Sequence, residues 1–419
     1  MVDTTEADAW LGTAVLTDEG RQDPGPLYER MRAEHGRWRS GLGFLVLTRY
    51  EDCMEALRHP RLGRRESDMA ETGTLSGREP MDREDTATML FLNPPDHTRI
   101  RSLVSREFTP RRVEALRPRL TALLDPALDR LAAAGGGDVM TEIAVPFPVA
   151  VISELLGVPE EGTEHIRPLV RDITALIDPA ATEEMTLAGM EAAGALGEYF
   201  VGLIEEKRAH PDDGLLSALT GVEAEGDRLS IDELLANTIL LYAAGFETTS
   251  NLIGNGLRLL LDNPAEMQRL RDHPEFMDSA IWEMLRHDSP VQLNVRAVLE
   301  EVDLFGETFP RGSQFLVLQG SGNHDELAYD EPERFDITRF SGAATAPTPL
   351  SFGWGAHHCL GAHLARAEGE ILFGALLDRF ATIELDDATL VAAGNHTGRP
   401  RYRASFTLRG LESLPVRVG

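Results

Sequence analysis

Cysteine is scarce in this chain: Cys53 and Cys359 are the two thiols among 419 residues. Two thiols cannot build a disulfide framework, which excludes the small stapled secreted scaffolds and points to a reducing, cytoplasmic setting. Lysine is scarcer still, with Lys207 alone, so arginine carries nearly all the positive charge. That charge is itself in short supply, since 40 basic residues against 69 acidic ones leave a net charge of −29. So acidic a surface disfavours nucleic acid and anionic membranes as partners, because both demand a cationic face. Long apolar runs are lacking too. The strongest, Leu235 to Phe246, is about twelve residues, against the ~20 that a bilayer span requires. The acidic, polar start (Met1 to Glu6) has no charged-then-apolar secretion pattern. With 42% apolar and 26% charged residues, the composition is that of a globular protein.

Length alone allows two or three domains. No repeat and no Gly/Ser- or Pro-rich linker divides the chain, however, so residues 1–419 are read as a single catalytic domain with a flexible stretch over 1–20. Helical periodicity dominates. Helices are expected over 25–35, 50–58, 96–106, 110–134, 141–156, 163–176, 189–209, 213–220, 231–262, 264–272, 275–287 and 360–379. Short strands are expected at Phe44–Leu47, Val295–Leu299, Phe315–Leu318 and Arg401–Leu408. The fold class is therefore mainly α with small β-sheets. The polar stretch from Arg65 to Thr88 has the character of a surface loop of the kind that covers binding sites.

One helix is unusual. Ser230-Ile231-Asp232-Glu233 is a capping-box start, and Pro264 stops the pattern about 32 residues later, a length of ~48 Å. The segment is apolar on nearly all sides, so it belongs at the protein's centre. Its middle reads Ala244-Gly245-Phe246-Glu247-Thr248-Thr249. Gly inside a helix costs about 1 kcal/mol against Ala, and a buried carboxylate must be paired or hydrated. Local rules broken at the centre of a protein mark a functional site.

The segment that carries chemistry is Phe352-Gly353-Trp354-Gly355-Ala356-His357-His358-Cys359-Leu360-Gly361, leading into a helix. A Cys at the mouth of a helix meets the positive end of the macrodipole and unsatisfied N–H groups, which favour thiolate. The upstream glycines let the backbone turn tightly, and Gly361 allows a flat ligand to approach. Such a thiolate is a nucleophile or a metal ligand, while a buried inert thiol is the bland alternative. Zinc is a weak reading, since adjacent His357, His358 and Cys359 cannot all face one tetrahedral ion and no second Cys pair exists. Cys53 has no comparable setting and is read as a core thiol.

These residues resemble the haem-thiolate cytochrome P-450 family, whose Phe-Gly-x-Gly-x-His-x-Cys-x-Gly pattern is matched at every fixed position. Further matches are Ala244–Thr249, Glu283-Met284-Leu285-Arg286, Phe335–Phe340 and Asp96-His97-Thr98-Arg99-Ile100-Arg101. The resemblance is strongest to the soluble bacterial branch and implies a long central helix over a haem b. It makes Cys359 the axial metal ligand and directs His97, Arg101, Arg296 and His357 to the haem propionates. It also places Ala244, Phe352 and Gly361 against the cofactor. It further implies Glu247 and Thr248 as the acid–alcohol pair that delivers protons, against the alternative of a Thr back-bonding to its own helix. Glu283, Arg286 and Arg339 are expected as a buried bracing triad. Asn323-His324-Asp325 departs from the family's more common Asn-Arg-Asp.

By helical spacing, Asn237, Leu240, Leu241 and Ala244 share a face with Thr248 and should line a substrate pocket. Met89, Leu90, Leu293 and Val295 are further lining candidates, with Gln292 or Asn294 as polar anchors. The implied activity is insertion of one oxygen atom from O2 into a small-molecule secondary metabolite, as in antibiotic biosynthesis. Electrons are expected from a separate ferredoxin or flavodoxin with its NAD(P)H-dependent reductase, docking near Arg106, Arg111, Arg112 and Arg366. Epoxidation, oxidative coupling and peroxide-driven oxidation on the same haem are alternatives. A haemless activator of a partner glycosyltransferase is an alternative of another class, opposed by the complete Cys loop.

Overall fold

The computed structural model describes residues 5–64, 69, 88–106, 108–173, 182–221, 229–342, 346–405 and 407–419. The order of elements is α1 (Thr5–Leu16), α2 (Asp18–Gln22), α3 (Gly25–Glu34), β1 (Arg37–Arg39), β2 (Phe44–Leu47), α4 (Tyr50–Arg58) and β3 (Leu62–Gly63). Then come α5 (Asp96–Ser105), α6 (Pro110–Ala134), β4 (Gly136–Asp138), a π-helical turn over Met140–Ala144, and α7 (Pro146–Leu156). The helical body continues with α8 (Glu160–Ile173), α9 (Glu183–Ala209), α10 (Leu215–Gly221), α11 (Ile231–Asp262), α12 (Pro264–Asp272) and α13 (Met277–His287). Strands β5 (Asn294–Val298), β6 (Val302–Leu304), β7 (Glu307–Phe309) and β8 (Gln314–Val317) follow. The chain ends with α14 (Gln319–Gly322), α15 (Ala362–Arg379), β9 (Ile383–Leu385), α16 (Asp387–Ala392) and β10 (Pro415–Val418).

Helices dominate, with a five-stranded sheet in the order β1-β2-β8-β5-β3, a three-stranded sheet β4-β10-β9 and the hairpin β6-β7. The fold class read from the sequence is the one observed. Helix α11 begins as expected: Ser230 Oγ accepts from Glu233 N at 3.1 Å, and Glu233 Oε2 accepts from Ser230 N at 2.8 Å. Its buried Leu252, Ile253, Leu257, Leu259 and Leu260 contribute roughly 1.5–3 kcal/mol each, which outweighs its helix-disfavouring glycines. The hydroxyl side chains inside it back-bond to the preceding turn, as Ser250 Oγ does to the Phe246 carbonyl at 2.8 Å.

Three expectations differ from the structure. From Thr5 onward the N-terminal stretch is helical and packed rather than flexible: Ala7, Trp10, Leu11, Ala14 and Val15 bury one face of α1 against Tyr28, Met31, Trp38 and Val46. Asp8 anchors it by accepting from Trp38 Nε1 at 2.8 Å and Gly41 N at 2.7 Å. Residues 401–408 are not a strand. The described ones among them make only isolated bridges at Tyr402 and Leu408, because Arg403 and Arg409 fold the segment back onto the buried carboxylates of Glu247 and Asp288. Helix α9 is long and apolar enough, by length and composition alone, to cross a membrane, although its apolar residues form no long unbroken run. It packs instead against α8, α10 and α11, burying Ala192, Leu196, Phe200 and Ile204. The anticipated covering loop, apart from Met69 and Thr88, lies outside the described residues, as do the last residues of the 163–176 helix.

Candidate active site

The Cys loop is built by backbone geometry. Gly353 (φ +63) and Gly355 (φ +72) both adopt the left-handed region, and a Cβ on Gly355 would sit 2.7 Å from the Leu57 carbonyl oxygen. Cys359 N then donates to the Phe352 carbonyl at 2.8 Å, closing the loop just before α15, whose N-cap is Gly361. The loop is braced from behind. Buried Arg286 clamps buried Glu283 through Nε (2.8 Å) and Nη2 (2.9 Å), and Arg339 Nε donates to the same carboxylate at 3.1 Å. Arg286 Nη1 also donates to the Asn323 carbonyl at 2.9 Å. The Asn323 side chain in turn holds Leu350 N (2.7 Å) and Ser351 Oγ (2.9 Å), at the root of the Cys loop. The neighbouring His324 is accommodated by Glu333 (3.0 Å) and the His287 carbonyl (2.8 Å), so the departure at that position leaves the brace intact.

Cys359 opens onto an internal cavity that also carries Phe352, His357, Gly361, Arg101, Arg296, Leu240, Leu241, Ala244 and Thr248 on its wall. Met89 and Leu90 line it as well. Glu247 and His97 are not on the wall. Glu247 Oε1 accepts from Arg403 Nη2 at 2.6 Å, and His97 lies behind His357, with ring centroids 4.2 Å apart. Four other lining expectations are corrected. Asn237 is fully buried and holds Met89 N at 3.0 Å, and Leu293 and Val295 pack into the core beneath α1. Gln292 turns away to Tyr28 and the Ser289 carbonyl (2.7 Å). Asn294 is on the wall but occupied, accepting from Arg296 Nη1 at 2.9 Å and donating to Gln319 at 2.8 Å.

Burial pushes the Cys359 thiol up, against the pull of the Gly361 N–H and the Arg101 charge. Cys359 is nonetheless exposed to the cavity, and a bound metal would favour its thiolate form. Around it the charges are one-sided. Burial, then Arg64, His97, Arg296 and Arg101, push His357 down to about 2. Burial, Arg101 and Arg64 push His97 down to about 4. Burial and Arg64 push Arg296 well below its ordinary value. No carboxylate among the described residues acts on any of the three. Both ring nitrogens of His97 and Nε2 of His357 lack a hydrogen-bond partner among the described residues, while a Cβ on Gly361 would meet open space. A flat group bringing a thiolate-seeking metal and its own carboxylates fits this donor set.

Two residues were missed by the sequence reading. Arg64 reaches the cluster because β3 pairs with β5, which brings it to Asn294 (3.2 Å); nothing local marked it. Arg403, the partner of Glu247, lay in a segment read as an ordinary strand. Of the arginines expected to dock a redox partner, Arg106 and Arg111 are exposed. Arg366 instead pairs with Asp278 and lies over the Trp282 ring, and Arg112 donates to the Asp213 carbonyl at 2.9 Å.

A model of the cytochrome P450 family matches residues 38–391. The chain is 40% identical over 411 residues to Cytochrome P450 107B1 of Saccharopolyspora erythraea, covering 96% of each. It is 39% identical over 329 residues to the 6-deoxyerythronolide B hydroxylase of the same organism, covering 78% of this chain and 76% of the relative. Among solved structures it superposes on P450BioI, crystallised with a hexadec-9Z-enoic acid-ligated acyl carrier protein. That match has a TM-score of 0.84 and 32% identity over 96% of this chain and 99% of the other. The chain thus belongs to the cytochrome P450 family of haem-thiolate monooxygenases.

Proposed function

We propose that this monooxygenase inserts one oxygen atom of O2 into an apolar, uncharged secondary metabolite. It works in the cytoplasm as one catalytic domain, with electrons from a separate ferredoxin or flavodoxin and an NAD(P)H-dependent reductase. The observation that carries the reading is the cavity that joins Cys359 to Leu240, Leu241, Ala244 and Thr248 of α11. Ile152, Met89 and Val291 extend the apolar wall, and a wall of that kind selects by shape and apolar area rather than by charge. The relative named for hydroxylating 6-deoxyerythronolide B supports a secondary-metabolic substrate.

The haem, when bound, supplies the binding and reduction of O2. Cys359 Sγ would hold its metal. Arg101, Arg296 and His357 would receive its carboxylates, with His97 packed behind His357 and Phe352, Gly361 and Ala244 against the ring. Thr248 Oγ donates to the Ala244 carbonyl at 3.0 Å, which leaves its lone pairs free to accept from a water on the cavity side. Glu247 relays protons from the Arg403 side: Arg403 Nη2 holds both Glu247 and, at 2.7 Å, Asn251 Oδ1. Arg106 and Arg111, exposed where α5 meets α6, offer the acidic electron carrier a local positive surface despite the net charge of −29.

The test is a reduced, CO-bound spectrum followed by turnover with ferredoxin, reductase and labelled O2 on a panel of apolar natural products. A red-shifted thiolate Soret band, lost in Cys359→Ser, together with one labelled oxygen in the product is the expected result. A band unchanged in Cys359→Ser, or product without label, would overturn the reading.

A further inference from the structure

Asn237 occupies the helical face of α11 that carries Leu241, Ala244 and Thr248 further along. Those three stand on the cavity wall, whereas Asn237 is fully buried beneath it. Where the face reaches Asn237, Met89 is laid over it, and Met89 and Leu90 become the wall. The Asn237 amide bonds backbone in two directions. Its Nδ2 donates to the Glu233 carbonyl at 2.7 Å, and its Oδ1 accepts from Met89 N at 3.0 Å. A carbonyl can only accept and an N–H can only donate, so the two partners fix which way round the amide lies. The bond to its own helix thus aims the other at Met89.

The chain after Leu90 is tied elsewhere. Asn93 Oδ1 accepts from Arg64 N at 2.7 Å, and its Nδ2 donates to the Arg64 carbonyl at 2.8 Å. Arg99 on α5 pairs with Glu233, one turn before Asn237 on α11. Those ties hold the stretch from Asn93 onward, while the part that faces the cavity is fastened to α11 through Asn237. A buried amide N–H left without an acceptor costs more than a bond exchanged with water. Without Asn237, the Met89 N–H regains a partner by moving outward to water, and Leu90 moves with it.

We propose that Asn237 is a positioning residue that determines specificity without touching the substrate. By holding Met89 N, it sets how far Met89 and Leu90 project into the cavity, and so the length of apolar molecule that fits. An apolar wall selects by shape, so a polar tether behind it acts on selection through the shape it enforces. The claim about substrates rests on the monooxygenase reading, whereas the tether stands independently of it.

The test has two arms on the haem-loaded protein. In the first, hydrogen exchange over residues 88–92, followed by mass spectrometry, should run about tenfold faster in Asn237→Leu than in wild type. In the second, imidazole, 4-phenylimidazole and 4-biphenylimidazole are titrated spectrally, each reaching to a different depth of the cavity. Asn237→Leu should leave imidazole affinity unchanged and shift the biphenyl-to-phenyl affinity ratio by about tenfold towards the longer ligand. Asn237→Asp, which keeps an acceptor for Met89 N, should recover part of both effects. If Asn237→Leu does not take up haem, Asn237→Ala serves in both arms. Unchanged exchange would overturn the tether. Faster exchange with an unchanged ratio would overturn the specificity role, since Asn237 would then only brace the fold. A wild type whose spectrum ignores imidazole, with exchange still faster in the variant, would overturn the haem-site reading and the claim about substrates, leaving the tether standing.

Discussion

Replacing Arg296 by methionine should move the stability of the haem-free protein and its affinity for haem in opposite directions. Arg296 is buried, and its Nη1 donates to Asn294 Oδ1 at 2.9 Å and to the Val295 carbonyl at 3.1 Å. Burial and the Arg64 charge act against its own charge, and no carboxylate among the described residues offsets them. The penalty for an ion so placed is several kcal/mol, while two lost hydrogen bonds cost about 1 kcal/mol each. Methionine keeps much of the stem without the charge. The haem-free Arg296→Met variant should therefore be more stable by about 2 kcal/mol. In the loaded protein a charge-assisted bond to a carboxylate is lost, a cost of about 2 kcal/mol. Affinity is the difference between the two states, so the effects add to about 4 kcal/mol, or roughly a thousandfold. Urea melts of the haem-free proteins give the first quantity, and haem loss to an excess of scavenging protein gives the second. A haem-free variant less stable than wild type would refute the argument that this cradle is built around an anion the protein does not itself provide.

Glu283→Gln leaves Arg286 charged and uncompensated in the core, which costs about 3–5 kcal/mol in urea melts. Because Arg286 reaches the Cys loop through Asn323, the variant should also lose thiolate-specific CO absorbance. Gly355→Ala should abolish that absorbance with little change elsewhere, because φ +72 and the 2.7 Å approach to Leu57 leave no room for Cβ; normal absorbance would contradict this. On pH, burial holds both His97 and His287 down to about 4. As pH falls from ~6.5 towards 4 the unfolded chain takes up protons that the folded one refuses, so stability is lost in that window. The slope is at most about 1.4 kcal/mol per pH unit for each histidine. His97→Gln should flatten the profile of the haem-free protein, as measured by urea melts at each pH.

Much of the architecture was legible because its signals are local. The capping box at Ser230 and the stop at Pro264 delimit α11 by backbone chemistry, and the pattern from Phe352 to Gly361 specifies a loop whose glycines must take positive φ. Helix α1 was legible in principle, since positions 7, 10, 11, 14 and 15 repeat at helical spacing, but its acidic start drew the reading towards a flexible terminus. Strands of two to four residues were mostly missed, since alternation over so few positions carries almost no signal.

The sequence by itself determined the family, the thiol proposed to hold the metal, the central helix and the identity of the residues that brace the loop, because each is written in neighbouring residues and fixed spacings. Tertiary structure alone decided where the charges go. It brought Arg64 beside Arg296 through the β3–β5 pairing and turned Glu247 onto Arg403, more than 150 residues away. It also set Glu368 on the cavity wall with no cation among the described residues. Electrostatic energies depend on distance and desolvation, and both are properties of the packed molecule that no local stretch of chain contains.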